Sequence, residues 1–373
     1  MTTLGICFSN IHDHNIPELT KLRTIASVPF GGRYRLIDFA ISGMVNAGIQ
    51  NIGIITRTKY RSLMSYIGSG KDWDLNRNNG GITFLAPYFE AESGPLYSNR
   101  LEALFNSQKF IEQSNADYVL LSDCDLVATF PFKEAIEFHE KNNTDVTVIY
   151  TKHNFDYHIN RYSHVIEEDE DHNVTGIRVT NELYGDLNFG MNAWILKRSV
   201  LLQMLREANE LNMKSFSKEL IPLYMGGRIN FKAYEYKGFI AGIDSLYGYY
   251  RTNMWLLNKE NRHKLFDAPD KPVITRVRGS APTKYGKNAK VVNSIICDGC
   301  NIKGTVINSI ISRGVTVGEN AVVKNSILLK KTIVAPKADI DYVITEKRAL
   351  ITKGRVLKGC DTHPFFIGYG EQV

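Results

Sequence analysis

Between Arg23 and Asp38 the chain reads Arg-Thr-Ile-Ala-Ser-Val-Pro-Phe-Gly-Gly-Arg-Tyr-Arg-Leu-Ile-Asp, which places Arg23, Arg33, Arg35 and Asp38 around a turn containing Pro29, Gly31 and Gly32. Guanidinium forks match phosphate and carboxylate oxygens, and paired glycines let main chain approach a ligand closely. The alternative for Arg35 and Asp38 is structural: they tie this loop to the helix behind it. A second polar cluster, Ser122-Asp-Cys-Asp125, follows the apolar run Tyr118–Leu121. The acidic run Glu167–Asp171 reads as a solvated hairpin tip, with metal binding as the alternative. Cys297-Asp-Gly-Cys300 and Cys360-Asp-Thr-His363 carry zinc-ligand residue types. Their alternative is that Cys297 and Cys300 sit at turn and inward positions of a repeat.

The elements around these residues alternate. Leu4–Phe8 reads as a buried first strand, Phe39–Gly48 as a helix closing on glycine, and Asn51–Thr56 as the next strand. A polar, glycine-containing loop after the first strand is where open α/β sheets bind nucleotides and sugars. Helices are expected over Tyr60–Tyr66, Asn99–Ile111 and Phe132–Lys141, and behind the strand that ends at Leu196, to about Ala208. Strands are expected at Asp145–Tyr150 and Phe189–Leu196. Ile67–Asn79 reads as a polar loop, Phe231–Ala241 as a strand and Ser245–Lys259 as a helix. The pattern is that of βαβ units and a mixed, mostly parallel sheet over residues 1–258. Residues 259–285, with Pro269, Pro272, Gly279 and Pro282, read as a surface linker.

From residue 286 a repeat takes over. Asn-Ser-Ile recurs at 293, 308 and 325, and apolar or small residues fall every six positions at Ile311, Val317, Val323, Leu329 and Ala335. A period of six is foreign to helices and matches the flat faces of a left-handed parallel β-helix. Residues 286–373 are assigned to such a coil, with an irregular β-sandwich as the alternative and a role in oligomerisation expected from its open ends.

The 373 residues suffice for two cores, and 43% apolar with 23% charged content is that of an ordinary globular protein. The net charge of +6 comes without a Lys/Arg run, which argues against nucleic acid as a partner. Neither a signal-peptide pattern nor a long apolar window is present, so no membrane association and a cytoplasmic location with free thiols are expected for the five cysteines.

Gly-Gly-Arg-Tyr-Arg-Leu-Ile-Asp38, Asn46-Ala-Gly-Ile49, the stretch Tyr66–Arg77 and Asn79-Gly-Gly81 together resemble the sugar-nucleotide pyrophosphorylases, specifically the ADP-glucose pyrophosphorylases of glycogen and starch synthesis. The likeness reaches into the C-terminal repeats and covers nearly the whole chain. It implies a Rossmann-like nucleotidyltransferase domain and the reaction of ATP with glucose 1-phosphate to give ADP-glucose and pyrophosphate. That chemistry needs backbone N–H groups around a triphosphate, carboxylates on Mg²⁺, and Lys or Arg on the sugar phosphate.

Held against the family pattern, the working positions have changed type. Active members carry Gly-Gly-x-Gly-x-Arg-Leu after the first strand, whereas this chain has Asn10, Ile11, His12, Asp13, His14, Asn15 and Ile16 there. A β-branched Cβ at Ile11 and a carboxylate at Asp13 are expected to disfavour a triphosphate. His12 and His14 could compensate in part when protonated. Asp123 matches a Mg²⁺-binding aspartate, but the second carboxylate position is Gly242, with Asp244 two residues away. Asp123 is therefore a weak Mg²⁺ candidate and otherwise a structural remnant. Ile25 replaces a family lysine, the sugar-phosphate lysine has no counterpart near Val179–Gly185, and Asn99-Arg100 replaces Gly-Thr. Lys218 does match a family lysine.

The resemblance therefore points to the non-catalytic, regulatory members that pair with a catalytic ADP-glucose pyrophosphorylase subunit in a heterotetramer, needing no cofactor of their own. Arg23, Gly31, Gly32, Arg33, Arg35 and Asp38 are then candidates for a substrate or phosphorylated effector. The alternatives are an active adenylyltransferase with an altered phosphate loop, using Mg²⁺, and an acyltransferase built on the β-helix. Against the last, His363 is the first histidine of the repeat region.

Overall fold

The computed structural model describes residues 1–87, 97, 99–155, 163–180, 185–225 and 227–373. Strands β1 (Thr3–Phe8), β2 (Asn51–Ile55), β3 (Gly81–Leu85), β4 (Tyr118–Asp123), β5 (Val146–Phe155), β6 (Ser163–Glu168), β7 (Val174–Thr180), β8 (Gly185–Lys197) and β9 (Phe231–Glu235) form one sheet. Its order is β7-β6-β8-β4-β1-β2-β3, with β5 pairing β8 and β9 pairing β5. The β4-β1-β2-β3 portion is parallel, and β8 runs antiparallel to β4 and β5. The central strands are apolar on both faces because helices cover both, as a parallel sheet requires. On one face α1 (Leu36–Asn46) buries Leu36, Ile37, Phe39, Ala40 and Ile41, and on the other α2 (Arg100–Gln113) buries Leu101, Leu104 and Ile111.

Helix α1 begins where its sequence can cap it. Asp38, three residues in, accepts a hydrogen bond from the Arg35 backbone N–H at 3.0 Å, satisfying one donor left free at a helix start. At α2 the Asn99 side chain accepts from Glu102 N in the same manner. The acidic run is a hairpin tip between β6 and β7, where Asp169 accepts from the N–H groups of Asp171 and Asn173.

Two expected elements differ. Phe231–Ala241 is two strands, β9 and a short strand Ile240–Gly242 that pairs with Leu126–Ala128, because the chain turns at Tyr236, whose hydroxyl bonds Phe239 O. The stretch read as a linker begins with a helix: α3 (Leu246–Trp255) is followed directly by α4 (Lys259–Phe266), whose start the Asn258 side chain caps. Its proline and glycine punctuation lies beyond this helix. The remainder is strapped to the first domain, with Ile274 N donating to Ser42 Oγ, Trp73 Nε1 to Ile274 O and Arg276 to the carbonyls of Ser65 and Tyr66.

From Lys284 three five-stranded, all-parallel sheets wind a triangular coil, the left-handed β-helix. The Asn-Ser-Ile repeat has a physical cause. Asn293, Asn308 and Asn325 turn corners at φ of 42°, 47° and 44°, which asparagine tolerates better than branched residues. Their amides form a ladder that ends on Asp341, and Ser294, Ser309 and Ser326 accept from the backbone N–H of the next coil. Ile302, Val317, Val334 and Ile351 stack inward, as do Val306, Val323 and Ile340. The strict spacing of six holds through Val323 and then slips by one, so that Leu328 and Val334 point inward in place of Leu329 and Ala335. The third sheet turns Ile310, Ile327 and Ile344 outward, into the core of the first domain. The coil is thus docked along a whole face.

Candidate functional site

Strand β4 ends in the first domain's polar centre. Asp123 and Asp125 are almost fully buried, yet their charges have partners within the chain. The Arg100 guanidinium, carried in by the first turn of α2, donates to Asp123 Oδ2 at 2.5 Å and lies over the Phe8 ring. His12 Nδ1 lies 2.6 Å from Asp125 Oδ2 and 3.6 Å from Asp123 Oδ2. Burial opposes the imidazolium, but the Asp125 and Asp123 carboxylates outweigh it and lift the His12 pKa to about 9. For Asp123 burial outweighs the pull of Arg100 and His12 and its pKa is raised; for Asp125 burial is outweighed, chiefly by His12, and its pKa falls. Two carboxylates, one guanidinium and one imidazolium cancel.

This cluster is the one set of three potential metal ligands among the described residues, with donor atoms within 4.8 Å of one another. The cysteines and His363 form no such set there. The residues do not fit Mg²⁺, which takes oxygen ligands in near-octahedral order and sheds water reluctantly. One donor is a protonated nitrogen, and a guanidinium already holds one of the two carboxylates. Gly242 lies in a strand opposite Leu126, and Asp244 Oδ1 accepts from Ser245 Oγ in the turn before α3. Asp123 and the departure at Arg100 are legible in the sequence. The part played by Asp125 and the pairing of His12 and Arg100 with the two acids are not. The signal available was a histidine within a loop that has lost its glycines, together with an arginine at the position where other members have threonine.

Beside the cluster is a cavity of about 510 Å³, lined among others by Ile11, His12, His14, Asn192, Lys218 and Asp244. After β1 the chain runs through Asn10, buried and bonded by the Tyr97 hydroxyl, into a 3-10 turn at Asp13–Asn15. Side chains therefore occupy space that a glycine loop would leave to backbone. The expectation that Asp13 faces the ligand is corrected: its Oδ1 accepts from Ile25 N at 2.7 Å, and burial lifts its pKa to about 7. The His14 pKa is lowered, chiefly by burial. Asn15 and Lys218 line the cavity, Lys218 from a single π-helical turn over Phe216–Leu220. The sugar-phosphate lysine position falls partly on 181–184, outside the described residues.

The arginines of the glycine turn divide. Arg23 is buried and donates to Glu346 of the β-helix at 2.5 Å, so it braces the two domains and offers no guanidinium to a ligand. Gly31 and Gly32, at φ of 54° and 74°, make room for protein: Gly31 N donates to Asn253 Oδ1, and a Cβ on Gly32 would meet Cys297 Sγ at 2.7 Å. Asp38 also accepts from the Tyr66 hydroxyl and is wholly buried. Arg35 stacks over Tyr66 and bonds Ser62. With Arg33 it lines an interdomain cleft of about 330 Å³ that also holds Arg278, Arg313, Lys330, Lys331, Lys347 and Arg348, and no carboxylate among its described lining residues.

Comparison with known proteins accords with this architecture. Residues 16–225 match the nucleotidyl transferase family, and residues 281–363 match the GlmU-like C-terminal hexapeptide family. A glucose-1-phosphate adenylyltransferase of Clostridium botulinum (strain Alaska E43 / Type E3) is 31% identical over 83% of this chain and 80% of its own length. One of Clostridium perfringens (strain 13 / Type A) is 30% identical over 84% and 80%. The glycogen biosynthesis protein GlgD of Bacillus subtilis (strain 168) is 28% identical over 98% of this chain and 96% of its own length. With its sheet order, its coil of hexapeptides and these relatives, the chain belongs to the glucose-1-phosphate adenylyltransferase family of nucleotidyltransferases.

Proposed function

We propose that this chain is a regulatory subunit of glucose-1-phosphate adenylyltransferase in glycogen biosynthesis, with little or no catalysis of its own. Arg100 and protonated His12 neutralising Asp123 and Asp125 is the observation that carries this reading. A metal-dependent transferase leaves such carboxylates for Mg²⁺, which offsets the charge of the polyphosphate in flight. Here the cations are built in, and the chain requires no metal itself. The loop Asn10–Ile16, without glycine, lacks the backbone cradle for a triphosphate. Its function is then exercised through a catalytic ADP-glucose pyrophosphorylase subunit in a cytoplasmic heterotetramer, the partner supplying the Mg²⁺ site. The near full-length likeness to the B. subtilis GlgD supports this reading.

The interdomain cleft supplies the regulatory half. Eight arginine and lysine side chains and no acid among its described lining residues suit a small phosphorylated anion, bound by Arg33, Arg35 and their neighbours from the β-helix. The reading is tested by assaying pyrophosphate release from ATP and glucose 1-phosphate with Mg²⁺, first with the purified chain and then with a catalytic subunit added. The chain alone is expected to turn over at least about 100-fold more slowly than a typical enzyme's ~10 s⁻¹, and to alter the partner's rate. Turnover by the chain alone within about tenfold of that rate contradicts the reading.

A further inference from the structure

We propose that the ε-amine of Lys347 is an acylation site, modified by acyl phosphates that the interdomain cleft gathers. The inference rests on the reading of that cleft as an anion site. Lys347 lines the cleft, and the one acid beside it is already engaged: Glu346 Oε2 accepts from Arg23 Nη2 at 2.5 Å and from the Lys347 backbone N–H at 3.1 Å. No carboxylate or carbonyl holds the Lys347 Nζ among the described residues. Two other lysines of the coil are paired with acids, Lys303 with Glu319 and Lys358 with Asp339. The charges facing Lys347 are Arg23 and Arg35 from the first domain and Lys330 and Glu346 from the coil. Burial, then the three cations, bring its pKa down to about 7, leaving much of the amine unprotonated near neutrality.

An acyl phosphate combines the two features this site can use. Its phosphate suits Arg35, Arg313 and Lys330, and its carbonyl carbon is an electrophile. The Nζ lone pair forms the N–C bond and the carbon–oxygen bond to phosphate breaks. Inorganic phosphate leaves with that electron pair, and the nitrogen proton passes to phosphate or water. No oxidant or reductant is needed. The product amide is neutral and fills part of the cleft, so the acylated chain is expected to lose affinity for phosphate.

The test incubates the unmodified full-length chain with acetyl phosphate near pH 7.5 and follows each lysine by peptide mass mapping. An unprotonated fraction of about three-quarters, against about one in a thousand for an ordinary lysine, sets the expectation. After discounting for the lower basicity of the amine, Lys347 should acetylate at least about tenfold faster than the exposed Lys303 and Lys337. Inorganic phosphate should slow Lys347 and leave the others unchanged. Modification of Lys347 no faster than Lys303, or fast modification indifferent to phosphate, overturns the proposal. A parallel calorimetric titration with inorganic phosphate separates the two readings. Phosphate binding with a slow Lys347 refutes the acylation site and leaves the effector cleft standing, whereas absence of phosphate binding refutes both.

Discussion

Replacing Arg100 with methionine isolates the built-in cation. The change keeps an unbranched side chain over the Phe8 ring and removes the guanidinium 2.5 Å from Asp123 Oδ2. Both side chains are almost wholly buried, so solvent cannot take over the screening. Breaking one partner out of a buried ion pair typically costs about 3–5 kcal/mol. His12, 3.6 Å from Asp123, still shares its charge with both acids, which puts the expected loss near the lower end, about 3 kcal/mol. The variant cluster carries a net negative charge, and a divalent cation then has a reason to enter. With a dissociation constant of about 1 mM, 10 mM Mg²⁺ returns roughly 1.4 kcal/mol to the folded state. The wild-type chain, neutral at this site, should gain none. Urea unfolding of both proteins at pH 7, with and without MgCl₂ at matched ionic strength, measures this. Equal stability of variant and wild type, or an equal gain from Mg²⁺ in both, refutes the argument.

Glu346→Gln strands the buried Arg23 guanidinium next to Arg35 and Lys347, and should lower unfolding free energy by about 3–5 kcal/mol. The double change Arg23→Met with Glu346→Leu should recover most of that loss; equality of the double loss with the sum of the single losses would count against a coupled brace. Asp38 gives a pH signature. Burial, against hydrogen bonds from Thr275, Tyr66 and Arg35, lifts its pKa to about 7 from an unfolded value near 3.8. A raised folded pKa stabilises fully below the unfolded value and is lost as pH climbs through the folded one. Asp38 therefore contributes a fall in stability of at most about 1.4 kcal/mol per pH unit between pH 4 and 7. Asp38→Asn keeps an acceptor for the Arg35 N–H and should flatten that slope in urea midpoints taken at pH 5, 6 and 7. Unchanged slopes would contradict the assignment. In the coil, Ile340→Ala opens a cavity among Val323, Val306 and their neighbours and should cost about 2–5 kcal/mol, read from the same unfolding curves.

The architecture was legible because it rests on local patterns. Apolar runs flanked by glycine and asparagine gave the strands, and the Asn-Ser-Ile repeat gave the coil, each for a reason visible in the geometry of a corner or a ladder. What escaped were pairings across the sequence. Arg23 and Glu346 are 323 residues apart, and nothing near either announces the other. The outward isoleucines at 310, 327 and 344 look like ordinary strand residues until a domain is laid against them. At the site, the loss of glycines from Asn10 to Ile16 was plain. The gain of paired counter-charges was not, because Arg100 reaches Asp123 only after α2 and β4 are brought side by side. Asp13 misled for the same reason: a carboxylate in a loop reads as facing the ligand, and here it faces Ile25 N.

Calorimetric titration of the purified chain with ATP in excess Mg²⁺ tests the central claim most directly. With Arg100 and His12 each paired to one oxygen of a carboxylate and no glycine loop to cradle phosphates, binding weaker than about 1 mM, less favourable than about −4 kcal/mol, is expected. A Mg²⁺-dependent dissociation constant in the micromolar range would contradict the account.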